Sequence, residues 1–243
     1  MESNYLKIVR LNKTTSTNDY ARKLAEKGER EITVVLAREQ TEGRGRLRRK
    51  WMSYKDKGLY ASFLFRPDKE LEKVHLLGML VALSAVKGLT KITAIKIKWP
   101  NDLMIDEKKI GGVLLEAKSS GAKPDFVIVG LGININNRRS QIPQSATSLF
   151  LETKRIFSLE KIFEFILKEV ILFYSEFRQG NFIKLKEEIE KHLIVLNKKI
   201  TANRNGSKIK GSVIGISQYG ELLIKNALGK ITKVTTSQIR RIR

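Results

Sequence analysis

Apolar and polar residues alternate over residues 5–11, which predicts a first strand, and the spacing then turns helical at Tyr20, Ala21, Leu24 and Ala25. Between the two lies Thr14-Thr15-Ser16-Thr17-Asn18-Asp19. Ser16 followed three residues later by Asp19 reads as a capping pair, so the run is expected at a helix N-terminus. A cap uses one hydroxyl, and the remaining side-chain donors and acceptors are available to a polar ligand head. Residues 32–37 predict a buried strand, and residues 58–65 another that ends at Arg66-Pro67. A helix is expected from about Leu71 to Leu89, with its apolar stripe at Val74, Leu77, Leu80, Val81 and Leu83.

Further along, residues 95–98 form a short strand that runs into Lys98-Trp99-Pro100-Asn101-Asp102, where proline stops the ladder and displays Asn101 and Asp102 at a turn. A hairpin-like residues 105–108 leads to Lys109-Ile110-Gly111-Gly112, whose paired glycines open a strand and let Lys109 face a ligand lying on bare backbone. Residues 126–129 are a hydrophobic strand running into Gly130-Leu131-Gly132-Ile133-Asn134. This is no dinucleotide fingerprint, because the third glycine is missing and no helix follows, and no Walker loop is present. Ser158 is expected to cap a helix to about Phe177 with Ile162, Phe165, Ile166, Val170 and Phe173 inward, and a second helix covers residues 182–192. Beyond Leu193, short strands separated by Asn-Gly, Tyr-Gly and Leu-Gly turns form a small all-β unit. Two domains follow, residues 1–192 and 193–243.

Composition narrows the chemistry. The 243 residues contain no cysteine, which excludes disulfides, thiolate metal sites and a cysteine nucleophile. His75 and His192 lie far apart in predicted helices, so a zinc site or a serine-histidine triad is not expected. A Mg²⁺ ion held through substrate phosphates needs only one or two carboxylates and stays open. There is no apolar run long enough to span a bilayer and no signal peptide at Met1-Glu2-Ser3-Asn4, so a cytoplasmic protein is expected. A net charge of +22 raises nucleic-acid binding as a possibility. The positive residues are spread along the chain, however, and no known nucleic-acid-binding motif accompanies them.

The densest chemistry is Gly43-Arg44-Gly45-Arg46-Leu47-Arg48-Arg49-Lys50-Trp51. Glycines let such a loop fold over a ligand, arginines offer forks for carboxylate or phosphate oxygens, and Trp51 provides a flat face for stacking. A solvated basic loop is the plainer alternative for these nine residues taken alone.

Taken together, Thr15-Ser16-Thr17-Asn18, Gly43-Arg44-Gly45-Arg46 with Trp51, Lys98 to Asp102 with Lys109 and Gly112, and Gly130 to Asn134 resemble the biotin protein ligases over essentially the whole chain. The resemblance implies an α+β catalytic domain like that of class II aminoacyl-tRNA synthetases, with a mixed sheet flanked by helices, plus a C-terminal SH3-like β-barrel. It implies that biotin and MgATP give biotinyl-5′-AMP and pyrophosphate, and that a lysine of a biotin carboxyl carrier protein then takes the biotinyl group. ATP and Mg²⁺ enter as the substrate complex and biotin as substrate, with no permanent cofactor and no certain protein metal ligand.

By the same resemblance Ser16, Thr17, Asn18 and Gln40 bind biotin, together with Gly43, Arg44, Lys109 and Gly112. Arg46, Lys109 and Asp102 are the expected catalytic group. Arg46 and Lys109 bracket carboxylate and phosphate, and Asp102 either orients the incoming amine or takes part in metal and substrate positioning. Arg44 and Arg49 are expected at the phosphates and in loop closure. Trp51, Gly132 and Asn134 are expected at the adenylate. The chain departs from the family at Arg48, where glycine is usual. Relatives with an N-terminal DNA-binding module act as repressors; here the first motif begins at Thr15, so no such module and no DNA partner are expected, while a homodimer is. A lipoate or octanoate ligase of the same superfamily is the alternative, and a basic nucleic-acid-binding protein a remote one.

Overall fold

The computed structural model describes residues 6–68, 71–204, 207–235 and 239–242. The chain start at Met1 to Tyr5 and the predicted Asn205-Gly206 turn lie outside the described residues. The first sheet contains seven strands: β1 (Lys7–Leu11), β2 (Thr33–Ala37), β3 (Gly58–Phe65), β4 (Lys96–Lys98), β5 (Asp102–Ile105), β6 (Lys108–Ser119) and β7 (Pro124–Asn134). Their order is β1-β2-β3-β7-β6-β5-β4. Only β1 and β2 pair in parallel, across the helix α1 (Thr17–Glu26), and every other neighbour is antiparallel. The mixed sheet expected from the sequence is therefore present.

All of β3 is buried because the sheet is covered on both faces. On one face α1 packs Ala21 and Ala25 against Val35, Leu64, Phe126 and Ile128. On the other lies α2 (His75–Leu89), preceded by a tight turn at Leu71–Val74, and beyond it α4 (Leu159–Arg178). The predicted stripe on α2 understates its burial. Leu76, Met79, Ala82 and Val86 are buried as well, since α2 is enclosed by sheet and α4 and is apolar all round. Ser158 caps α4 through the Lys161 N–H as expected. Phe165, read as core, is instead 50% exposed on the outer side of that helix. Helix α5 (Phe182–Glu190) ends before His192, which lies in the following turn.

Three local readings change. Ser16 occupies the N-cap position of α1 but its side chain makes no cap hydrogen bond, and Asp19 is committed to an arginine described below. Strand β7 does not stop at Val129; it continues through Gly130 and Gly132 to Asn134. A five-residue helix, α3 (Leu149–Thr153), was not foreseen. Its cap, Ser148, is fully buried, accepts from the Leu151 N–H at 3.1 Å and donates to the Asn137 carbonyl at 2.7 Å. Ser148→Ala removes both partners and is expected to lower stability by about 1–2 kcal/mol, read as a shift of the urea midpoint at unchanged slope.

The C-terminal unit is a second, antiparallel sheet of β8 (Lys199–Arg204), β9 (Ser207–Ile216), β10 (Leu222–Lys225), β11 (Ile231–Val234) and β12 (Ile239–Ile242), ordered β11-β10-β9-β8-β12. It is fastened to the first sheet by Trp99, 1% exposed, whose indole N–H donates to the Gly220 carbonyl at 3.0 Å. No helix among the described residues is long and apolar enough to cross a membrane.

Candidate functional site

On the face that α1 covers, beyond the N-terminus of that helix, the first sheet carries a cavity of about 420 Å³. Side chains alternate along a strand, so Gly130, Gly132 and Asn134 of β7 share one face with Gly112 and Leu114 of β6, and register places Gly112 beside Gly132 and Leu114 beside Gly130. The glycines form a floor of bare backbone that other side chains occupy. A Cβ on Gly132 would lie 2.7 Å from Trp51 Cε2, and one on Gly130 would lie 2.2 Å from Asn18 Oδ1. Trp51 therefore lies flat on Gly132, with its buried N–H lacking a partner among the described residues.

The walls come from four places. The N-terminus of α1 brings Ser16, Thr17 and Asn18, all at most 4% exposed. The Thr17 N–H and hydroxyl reach Gln40 Oε1 at 2.8 and 3.0 Å, and Gln40 Nε2 donates to Ser53 at 2.9 Å. This end of the cavity is polar and uncharged. At the other end the bend after Pro100 and the start of β6 bring Asp102 and Lys109 together, Nζ to Oδ1 at 2.5 Å. Lys109 Nζ also sits 5.6 Å from the centre of the Trp51 ring.

The loop between β2 and β3 is a small hairpin that overhangs the cavity. Arg44 and Lys50 pair as a bridge, the Trp51 N–H donates to the Gly43 carbonyl and the Gly45 N–H to the Arg49 carbonyl, each at 2.8 Å. At its tip Leu47 and Arg48 both take left-handed backbone, φ 56°. This is backbone that glycine adopts freely, as the resemblance led one to expect at position 48, whereas a side chain there costs about 1–2 kcal/mol. Arg48→Gly is expected to raise stability by up to about 1 kcal/mol, with part of the relief offset by a freer unfolded chain, whereas β-branched Arg48→Val lowers it. Thermal unfolding of the two variants against the parent checks the sign.

Arg44 does not reach toward the cationic end. Its guanidinium grips Asp19 with both Nη atoms, one at 2.6 Å, and lies 3.4 Å from Glu116. The hydrogen bond from Arg44 holds the Asp19 carboxyl below its usual range, and Asp19 raises Arg44 in turn. Arg44 thus ties the loop to α1 and β6. Arg46 points inward and donates to Asn101 Oδ1 at 3.2 Å. Burial pulls its pKa down, the Asp102 carboxylate opposes this and Arg49 adds to it.

Of the residues expected from the sequence, Ser16, Thr17, Asn18, Gln40, Arg44 and Arg46 line the cavity, as do Arg49, Trp51, Asp102, Lys109, Gly112, Gly132 and Asn134. Gly43 is not among the lining residues; a Cβ there would meet Ser53 Oγ and the Trp51 carbonyl at 2.8 Å, so it serves the close packing of the loop. Asn134 spends its Nδ2 on the Thr147 carbonyl at 3.0 Å. His75 and His192 are not among the lining residues either, and no cluster of three or more histidine, cysteine, aspartate or glutamate side chains occurs among the described residues. Asn101, displayed with Asp102 at the predicted turn, lines the cavity too, whereas Ser62 and Glu116 support the site but were not singled out. Ser62 was detectable as a lone hydroxyl within the apolar run of β3.

Charge is strongly one-sided. Arg44, Arg46, Arg49, Lys50, Lys98 and Lys109 line the cavity, against Asp102 as its one lining carboxylate among the described residues. With Arg44 neutralised by Asp19, the remaining surplus suits a ligand bearing several anionic oxygens.

Comparisons with known proteins point the same way. The model of the biotin/lipoate A/B protein ligase family matches residues 10–134. The chain is similar to the bifunctional ligase/repressor BirA of Bacillus subtilis strain 168, 31% identical over 231 residues, 93% of this chain and 71% of that protein. It is also similar to biotin--[acetyl-CoA-carboxylase] ligase of Paracoccus denitrificans, 29% identical over 232 residues, 90% of this chain and 95% of the other. Among solved structures, the biotin protein ligase from Aquifex aeolicus in complex with biotin and ATP superposes with a TM-score of 0.83 at 33% identity, covering 98% of both chains.

Proposed function

The chain belongs to the biotin/lipoate A/B protein ligase family, and on that premise we propose that it is a biotin protein ligase running two half-reactions in the one cavity. The observation that carries this reading is the cavity's polarity, uncharged and hydrogen-bonding at Ser16, Thr17 and Gln40, cationic at Arg46 and Lys109. Biotin has the matching form, a neutral cyclic urea at one end and a carboxylate at the other.

In the first half-reaction a carboxylate oxygen of biotin attacks the α-phosphorus of ATP. The bond from that phosphorus to the bridging oxygen breaks, and pyrophosphate leaves with the electron pair. Two anions must meet, so the protein contributes positive charge and alignment rather than a nucleophile. Lys109 and Arg46 bracket the reacting oxygens, and Arg49 receives charge on the departing phosphates. Trp51 and Asn134 hold the adenine, Trp51 through its ring face. Mg²⁺ arrives with the triphosphate, whose charge it offsets; Asp102 is the carboxylate at hand.

In the second half-reaction the amine of an acceptor lysine on a biotin carboxyl carrier protein attacks the biotinyl carbonyl. AMP leaves with the electron pair of the mixed anhydride, and the proton that the amine loses passes to solvent. Asp102, held 2.5 Å from Lys109, orients the incoming amine. The same reading makes the enzyme cytoplasmic and homodimeric.

The test is exchange of labelled pyrophosphate into ATP with biotin, lipoate, octanoate or no acid present. Exchange that depends on biotin alone is expected. Exchange with lipoate or octanoate but not biotin would move the chain to a sister activity, and no exchange with any acid would sink the adenylation reading.

A further inference from the structure

Along β6, Val113 and Leu115 lie against Gly78 of α2, while Gly112 and Leu114 line the cavity. Regular alternation would carry this pattern back to Gly111 on the α2 side, Ile110 on the cavity side and Lys109 on the α2 side again. The chain does the opposite. Ile110 is fully buried in the core that α2 covers, and Lys109 Nζ lies 3.3 Å from the point where a Cβ on Gly112 would stand. The reversal comes from a β-bulge: Leu103 pairs with Gly111 and Met104 with Lys109, so β5 passes over Ile110. A bulge re-aims a side chain, and here it turns the lysine into the site.

A bulge also disrupts the ladder, so the backbone of Lys109 needs partners elsewhere. Strand β7 does not supply them, because its pairing with β6 begins at Gly111 opposite Ile133. Its place is taken by residues 145–147, which run parallel to Lys109. The Lys109 N–H donates to the Ser145 carbonyl at 3.1 Å, and the Thr147 N–H donates to the Lys109 carbonyl at 2.8 Å. Downstream this strap is fixed by the buried Ser148 cap. Upstream, Pro143, Gln144 and Ser145 are exposed, and the half-buried Arg139 gathers the turn. Its Nη1 donates to the Ala146 carbonyl at 2.8 Å, and its Nη2 to the Ile142 carbonyl at 3.1 Å and to the Pro143 carbonyl. The Ile142 and Ala146 carbonyls have no other donor among the described residues. A planar guanidinium with five N–H donors can serve three carbonyls at once, which a lysine cannot match.

We infer that Arg139, which is not among the residues lining the cavity, is a positioning residue for the adenylation step. By gathering the turn of residues 142–146 it holds the strap against Lys109 and so keeps the ammonium turned into the site. The step it serves rests on the ligase reading above, whereas its hold on the strap belongs to the fold alone. Without the guanidinium the Ile142 and Ala146 carbonyls turn to water, the strap loosens, and the lysine beside the bulge spreads its ammonium over several positions. The reaction tolerates little of this, since a displacement of about 1 Å can cost on the order of 10²-fold in rate.

The experiment measures pyrophosphate exchange and amide hydrogen exchange in the parent protein, Arg139→Ala, Arg139→Lys, Lys109→Ala and the two double variants. Arg139→Ala is expected to lower kcat for biotin-dependent exchange about tenfold. Its Lys109 and Thr147 amides should exchange about tenfold faster or more, as the strap opens locally. Because the arginine acts through the lysine, the same substitution in the Lys109→Ala background should change kcat by less than about twofold. A turn that only shaped the cavity wall would slow both backgrounds alike. Arg139→Lys reaches fewer of the carbonyls and should lose about threefold, again only while Lys109 is present, which keeps the test decisive if Arg139→Ala does not fold. Losses of full size in the Lys109→Ala background, or kcat and amide protection like the parent's in either folded variant, would overturn the inference. A parent protein that shows no biotin-dependent exchange would reject the ligase reading itself, and the Lys109 and Thr147 amides would still report whether Arg139 holds the strap.

Discussion

Lys109→Ala is expected to slow biotin-dependent pyrophosphate exchange by roughly 10²-fold or more, the scale of removing one well-placed charge stabiliser from a transition state. Two effects combine at this position. On the proposed reaction the reacting oxygens lose a nearby cation, and Asp102 loses the ammonium held 2.5 Å away. An unpartnered carboxylate then faces the incoming carboxylate and triphosphate, adding repulsion to the missing attraction. Lys109→Arg keeps the charge but not its shape, because a planar fork replaces a point charge and Gly112, whose Cβ would already lie 3.3 Å from Nζ, leaves little room beside it. That variant should recover only part of the rate. Turnover close to the parent's in Lys109→Ala would remove this lysine from the mechanism.

Gly132→Ala has the second largest expected effect, and it is specific to the nucleotide. The added methyl would sit 2.7 Å from Cε2 and 2.8 Å from Nε1 of Trp51, and an indole held by its loop cannot slide aside as a flexible chain end would. Trp51 must lift off the floor. If it provides the stacking face for adenine, KM for ATP should rise by about 10- to 100-fold, since base–aromatic stacking contributes about 1–3 kcal/mol. KM for biotin, which the proposed reading puts at the far end, should change little. Equal rises in both constants would mean that the substitution distorts the sheet rather than the adenine platform.

The fold was legible where side-chain pattern and burial agree. Residues 58–65 were read as a strand and form one with the same limits, because an uninterrupted apolar run suits a strand covered on both faces. Pattern failed where a neighbour supplies the missing side chain. Gly130 and Gly132 suggested a break after Val129, yet the strand continues because Asn18 and Trp51 fill the space that their own side chains would take. The Ser16 and Asp19 spacing suggested a cap, but Arg44, far along the chain, competes successfully for Asp19 and Ser16 is left facing the cavity. The site motifs could be located in the sequence, and the cavity brings together every predicted site residue except Gly43. Glu116 could not be picked out, since its partners Asn18, Arg22 and Arg44 lie more than 70 residues away along the chain and only the fold brings them to it.

The chain has two tryptophans, and the fold gives them separate surroundings. Trp51 lies on the cavity floor with an N–H that has no partner among the described residues, while Trp99 is sealed beneath the junction with the C-terminal sheet and bonded to Gly220. The molecule therefore contains two optical reporters in unlike environments, one sensitive to what enters the cavity and the other to whether the two sheets stay docked. Emission from a protein retaining only one or the other would follow ligand capture and sheet separation as distinct signals, without any attached dye.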